Sequence, residues 1–63
     1  MNNINELAIK ELTDRIEEIQ SILKEVNDEN EREKLIQEVL TAARKVNRYL
    51  RAIGADESEM YDL

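Results

Sequence analysis

No cysteine, histidine, proline, tryptophan or phenylalanine occurs in this chain, and glycine occurs once. The missing cysteine excludes a disulfide framework, and missing cysteine and histidine together exclude the usual zinc ligand sets. Thiol nucleophiles, imidazole bases and the serine–histidine triad are excluded on the same ground. Thr13, Ser21, Thr41 and Ser58 have no activating partner in the sequence pattern around them. Glu17 and Glu18 are adjacent carboxylates, but neighbouring helix positions point about 100° apart and form no paired site. Phosphate-loop, dinucleotide and calcium-loop patterns are all lacking. The expectation is a protein that is not an enzyme and uses neither metal nor cofactor.

Long apolar runs are also lacking, and none approaches the ~18 residues that a membrane span requires. The stretch Met1–Glu6 has neither the basic nor the apolar region of a signal peptide. The sequence therefore reads as a cytoplasmic protein with no membrane partner.

What remains is 41% hydrophobic and 38% charged over 63 residues, a composition typical of helical bundles and coiled coils. A domain this short buries only ~60% of the surface its unfolded chain exposes, and its core supplies about 3–5 kcal/mol. With disulfides and zinc excluded, oligomerisation is the remaining source of stability.

Eight consecutive polar residues, Asn27 to Lys34, interrupt the chain at its middle. Before them, Ile9, Leu12, Ile16, Ile19, Leu23 and Val26 recur in steps of 3, 4, 3, 4, 3. After them, Ile36, Val39, Ala43, Val46, Leu50 and Ile53 repeat the same steps. Each series is the apolar seam of a helix. A single unbroken helix would carry Asn30, Glu33, Gln37, Arg44 and Asn47 into the first seam, so the chain is expected to fold back. The expectation is an all-α, antiparallel two-helix hairpin forming one domain. Its first helix covers about 4–26, its turn 27–30, its second helix about 31–53, and an acidic tail 54–63.

Cap patterns agree with this division. Asn3 with Glu6 opens the first helix, and Asp28 with Glu31 or Asn30 with Glu33 opens the second. Asn27 could end the first helix in the left-handed region, and Gly54 could end the second in the same way. Asp56 with Glu59 repeats the cap pattern, and Ala55 with Met60 could form a hydrophobic staple. The tail is thus read as a frayed acidic end, as a helical turn docked through Met60, Tyr61 or Leu63, or as a linear binding motif.

Folding back near residue 29 pairs Ile9 with Leu50, Leu12 with Val46, Ile16 with Ala43, Ile19 with Val39 and Leu23 with Ile36. These ten residues form the expected intra-hairpin core. Leu35, Leu40, Ala42 and Tyr49 widen the apolar stripe of the second helix, as Ile22 and Ala8 do on the first, with Ile4 and Leu7 near its start. A stripe too wide for one partner suits a four-helix bundle. Leu35, Leu40, Ala42, Tyr49 and Ile22 are therefore the expected oligomer interface, most economically a homodimer of hairpins.

The net charge of −6 divides into −3 over residues 1–27, +1 over 28–53 and −4 over 54–63. Arg44, Arg48 and Arg51 share one face of the second helix, beside Lys45. Near a helix C-terminus they complement the helix dipole, and the hairpin register sets Asp14, Glu11 and Glu6 opposite them. With Tyr49 they also offer a contact for nucleic acid or a nucleotide. On the first helix, Glu11, Asp14, Glu17, Glu18 and Glu25 present a run of carboxylates. Such a face can occupy a basic groove on a protein partner, a device used by small phage- or plasmid-encoded inhibitors. The leading expectation is a non-enzymatic homo-oligomeric regulator or inhibitor acting on a protein partner through this acidic surface. The alternative is an RNA- or nucleotide-binding bundle using Arg44, Arg48, Arg51 and Tyr49.

In architecture the paired arms resemble the plasmid copy-control family Rop, whose members are dimers of helical hairpins that bind a pair of RNA loops. In that family the RNA face lies on the first helix and uses an exposed aromatic with lysines and amides. The first helix here has no aromatic and is mostly acidic outside, so the resemblance implies the architecture and carries over no functional residues.

Overall fold

The computed structural model describes residues 3–63, with side chains from Asn5 onward. The chain forms α1 (Asn3–Leu23), α2 (Glu29–Ala52) and a single 3-10 turn (Glu57–Glu59), in a rod of 42 × 20 × 14 Å. The two long helices pack side by side as an all-α helical hairpin. Among the described residues no helix is long and apolar enough to cross a membrane. The expected Asn3 cap and any contribution from the Ile4 side chain lie outside the described side chains.

α1 stops at Leu23, earlier than the apolar repeat suggests. The Ile22 carbonyl accepts from the amides of both Glu25 (3.0 Å) and Val26 (3.1 Å), which tightens the last turn. The expected left-handed Asn27 is not used, because no described residue other than glycine has positive φ. Arg32 performs the closure from the next helix. One of its terminal guanidinium nitrogens donates to the carbonyls of Leu23 (2.6 Å) and Val26 (3.1 Å), groups left unpaired where a helix ends. Asp28 then opens α2 in extended conformation, its carboxylate accepting from the Asn30 amide at 3.1 Å. Of the two possible start signals, the helix uses the earlier.

At the other end of α2 the sequence signal is used as expected. Gly54 has φ 78°, its amide donates to the Arg51 carbonyl (3.1 Å), and the Ala55 amide donates to the Leu50 carbonyl (2.9 Å). These two bonds form a Schellman motif, in which the left-handed residue reverses the chain. The reversed segment turns once through Glu57–Glu59. Asp56 makes no side-chain cap bond there, so the expected cap box is replaced by backbone bonds from Glu59 to Asp56 and from Met60 to Glu57.

Ile16, Ala42, Ala43 and Val46 form the buried cluster, with Ile9, Leu12, Val39, Leu50 and Tyr61 packed against it. Ile19 is fully buried as well. Of the expected seam, Leu23 is half-buried and Ile36 is 41% exposed. The reason lies in the early end of α1: its register partner Leu23 is the last helical residue, so the chain leaves before covering Ile36. Ala42, expected on the oligomer face, is buried inside the hairpin by its place in the Ile16 cluster.

Candidate functional site

The helical repeat and the C-terminal segment divide the hairpin into two flanks. The first is the flank of Asn47. This residue follows Ala43 by four positions and precedes Leu50 by three, so it lies on the apolar arc of α2. It is the buried polar residue of the core, 7% exposed. Its amide satisfies both of its bonding groups on one backbone unit: Nδ2 donates to the Tyr61 carbonyl at 3.0 Å, and the Tyr61 amide donates to Oδ1 at 2.8 Å. The Tyr61 ring packs on the Ile16–Val46 cluster. Burial, and then the charge of Glu17 on α1, raise the Tyr61 phenol above its ordinary pKa. The tail is therefore docked, in the groove between α1 and α2. An open depression of about 370 Å³ lies beside it, lined by Asn47, Arg51, Glu57, Met60, Tyr61, Asp62 and Leu63. Asn47 lies next to the expected seam residue Val46 and not in the seam itself, so the apolar repeat does not mark it, although a buried amide there demands a partner.

Leu40 shares this flank. It precedes Asn47 by two helical turns, whereas Ala42 is turned about 200° from Leu40. The expected interface set thus splits: Leu40 stands beyond the docked tail, while Leu35, Ala42 and Tyr49 run along the opposite flank. There Leu35 and Tyr49 are half-buried, and Ile22 of α1 is 39% exposed beside Leu35. A shallow depression of about 240 Å³ opens among Ile22, Glu31, Lys34 and Leu35. Arg15 crosses this flank from α1 to α2, donating from Nε to one oxygen of Glu38 (2.9 Å) and forming an ion pair with it, a terminal nitrogen lying 2.8 Å from the same oxygen. It also bonds Glu18. Glu38 first and Glu18 second hold the Arg15 guanidinium above its ordinary pKa.

The basic cluster differs from expectation. Among the described residues, the ion pairs are Lys10–Asp14 (2.9 Å), Arg15–Glu18 and Arg15–Glu38. Arg44, Arg48 and Arg51 are exposed and take part in none of them. The pairs expected with Asp14, Glu11 and Glu6 do not form because these residues face outward: Asp14 is turned about 200° from buried Ile16, and Arg48 as far from buried Val46. Tyr49 does not join the arginines either, since it points about 100° away from Arg48.

The acidic residues separate too. Glu11, Asp14, Glu17, Glu18 and Glu25 are all exposed on α1, and of these Glu17 is the one whose charge acts on the Tyr61 phenol. Asp14 is bonded by Lys10, whose ammonium is raised in pKa chiefly by that hydrogen bond. No group of three or more His, Cys, Asp or Glu is placed to hold a metal among the described residues.

These features define a class of structure: an all-α helical hairpin with its C-terminal segment docked on one flank and an apolar strip along the other. No family model, curated protein or solved structure matches the chain significantly.

Proposed function

We propose that this protein is a non-enzymatic interaction module: a homodimer of hairpins forming a four-helix bundle, which regulates or inhibits a protein partner through the acidic outer side of α1. The observation that supports this most directly is the flank of Leu35, Tyr49 and Ile22. The chain covers its other flank with its own C-terminal segment, while on this one Leu35 and Tyr49 stay half-buried and Ile22 is 39% exposed, with no segment of the described chain laid over them. Self-association would complete a core whose fully buried large side chains are Ile16, Ile19 and Val46. Pairing hairpins would also double the carboxylate row Glu11, Asp14, Glu18 and Glu25, suiting it to a basic surface on another protein. The cysteine-free composition is in keeping with a cytoplasmic setting.

Two measurements test this reading. Tyr49→Glu places a charge in the apolar strip and is expected to convert the dimer to monomer in sedimentation equilibrium; an unchanged mass would exclude the strip as the interface. A Glu11→Gln, Glu18→Gln, Glu25→Gln variant is expected to dimerise normally but to lose a protein captured from the source cell by the native chain. Equal capture by both would remove the acidic side from the function.

A second reading has its own support, because Arg44, Arg48 and Arg51 are exposed and, among the described residues, engaged in no ion pair. Three such cations can contact phosphates. This reading calls for RNA or nucleotide binding that weakens with salt and is lost in Arg48→Glu. The overall charge of −6 and the position of Tyr49 favour the first reading.

A further inference from the structure

We propose that the second copy docks in one defined arrangement, α2 against α2, antiparallel, with its centre at Ala42. This deepens the dimer reading above and rests on it. Leu35, Glu38, Ala42, Lys45 and Tyr49 follow one another in steps of 3, 4, 3, 4 along the uncovered flank of α2. That spacing keeps them in one stripe. The stripe complements itself when reversed. Turned end for end about Ala42, Leu35 comes level with the partner's Tyr49, Ala42 with the partner's Ala42, and Glu38 within one residue of the partner's Lys45, a gap of about 1.5 Å along the axis that two long side chains span. The two unlike contacts each occur twice in the symmetric pair, and the Ala42 contact lies once, on the axis.

The charges select the direction. Side by side in parallel, Glu38 would face the partner's Glu38 and Lys45 the partner's Lys45, and like charges at an interface cost several kcal/mol. In antiparallel order both become opposite-charge pairs. Lys45 is exposed and has no carboxylate partner among the described residues, so it is available. Glu38 is held by Arg15, with the carboxylate fixed on this flank through one oxygen. The second oxygen accepts no bond from Arg15, leaving a site for the partner's lysine.

Shape agrees with charge. Ala42 is 6% exposed and belongs to the hairpin core, so it adds no bulk of its own between the two copies of α2 at the centre. At each end the depression of about 240 Å³ among Ile22, Glu31, Lys34 and Leu35 lies at the level where the partner's Tyr49 arrives. An aromatic ring there covers the exposed Ile22, and the Glu31 carboxylate can accept from its phenol.

The test uses charge reversal in the full chain, read by sedimentation equilibrium. Glu38→Lys alone and Lys45→Glu alone are each expected to weaken the homodimer roughly tenfold or more. An equimolar mixture of the two is expected to restore a heterodimer of native mass, because one copy then carries two lysines and the other two glutamates. A native dimer with no recovery in the mixture overturns the antiparallel order and leaves the dimer itself standing. A native chain that remains monomeric overturns both. If Glu38→Lys disturbs folding, cysteine pairing answers the same question in a chain that has no native cysteine. Mixed Leu35→Cys and Tyr49→Cys chains are expected to cross-link to each other in preference to themselves; equal or preferred self-linking overturns the arrangement.

Discussion

Asn47 and Tyr61 are joined by two hydrogen bonds of 3.0 and 2.8 Å, one in each direction between a side-chain amide and a backbone peptide. This pairing imitates a rung of β-ladder, made between a helix and an extended segment. It satisfies a buried amide and at the same time anchors a segment that has little other regular structure.

Asn47→Ala is therefore expected to release residues 57–63 and to destabilise the hairpin by about 1–3 kcal/mol, the cost of leaving buried peptide groups unpaired. Urea unfolding gives the magnitude, and amide exchange at Tyr61 shows whether the segment has detached. Asn47→Asp keeps the acceptor but loses the donor, setting a carboxylate against the Tyr61 carbonyl. It is expected to release the segment as well. Unchanged protection at Tyr61 in both variants would show that the ring alone holds the segment.

The tail should also respond to strong base. The Tyr61 phenol is raised above its ordinary value near 10 by burial and by Glu17. The folded state thus favours the neutral phenol. This contribution to stability is fully present below the unfolded pKa and is lost as pH rises through the folded one. Tyrosinate absorbance in a Tyr49→Phe chain is expected to titrate later than in a free tyrosine peptide. Glu17→Gln should move that titration part of the way back.

Arg32→Ala removes the donor that closes α1, leaving the Leu23 and Val26 carbonyls to water. The expected loss is about 1–2 kcal/mol, since each charge-assisted bond contributes more than a neutral one. Arg32→Lys is expected to recover only part of it, because an ammonium lacks the planar fork. Urea midpoints of the three chains check the order.

Gly54→Ala tests the reversal itself. A Cβ at this position meets nothing within 4 Å, so the substitution adds no clash. Only the left-handed backbone resists it, at about 1–2 kcal/mol. Thermal unfolding should show that loss, and Gly54→Asn a smaller one.

How much of this was written in the sequence depended on the distance over which each signal acts. The two seams, the Asp28 cap and the Gly54 stop involve near neighbours, so residue type and spacing were enough to indicate them. Arg32 and Asn47 act on carbonyls up to 9 and 14 positions away, and nothing in their immediate surroundings names those partners. Ile36 illustrates the opposite error. Its spacing is that of a core residue, yet its cover depends on where another helix stops. Leu40 and Ala42 were grouped because both widen the apolar stripe, although the helix turns them to opposite flanks. The expected ion pairs between Arg44, Arg48, Arg51 and the first helix failed for a related reason: opposite positions in register need not face each other once both side chains point to solvent.

The reversal at Gly54 also decides where an attachment at Leu63 emerges. Tyr61 lies level with Asn47, well back along α2, so a fused peptide or dye leaves the rod from its side. It hangs across the flank of Asn47 and leaves the stripe of Leu35 and Tyr49 clear. A tag attached at Leu63 is thus expected to leave any association through that stripe undisturbed, so tagged and untagged chains should sediment with the same stoichiometry.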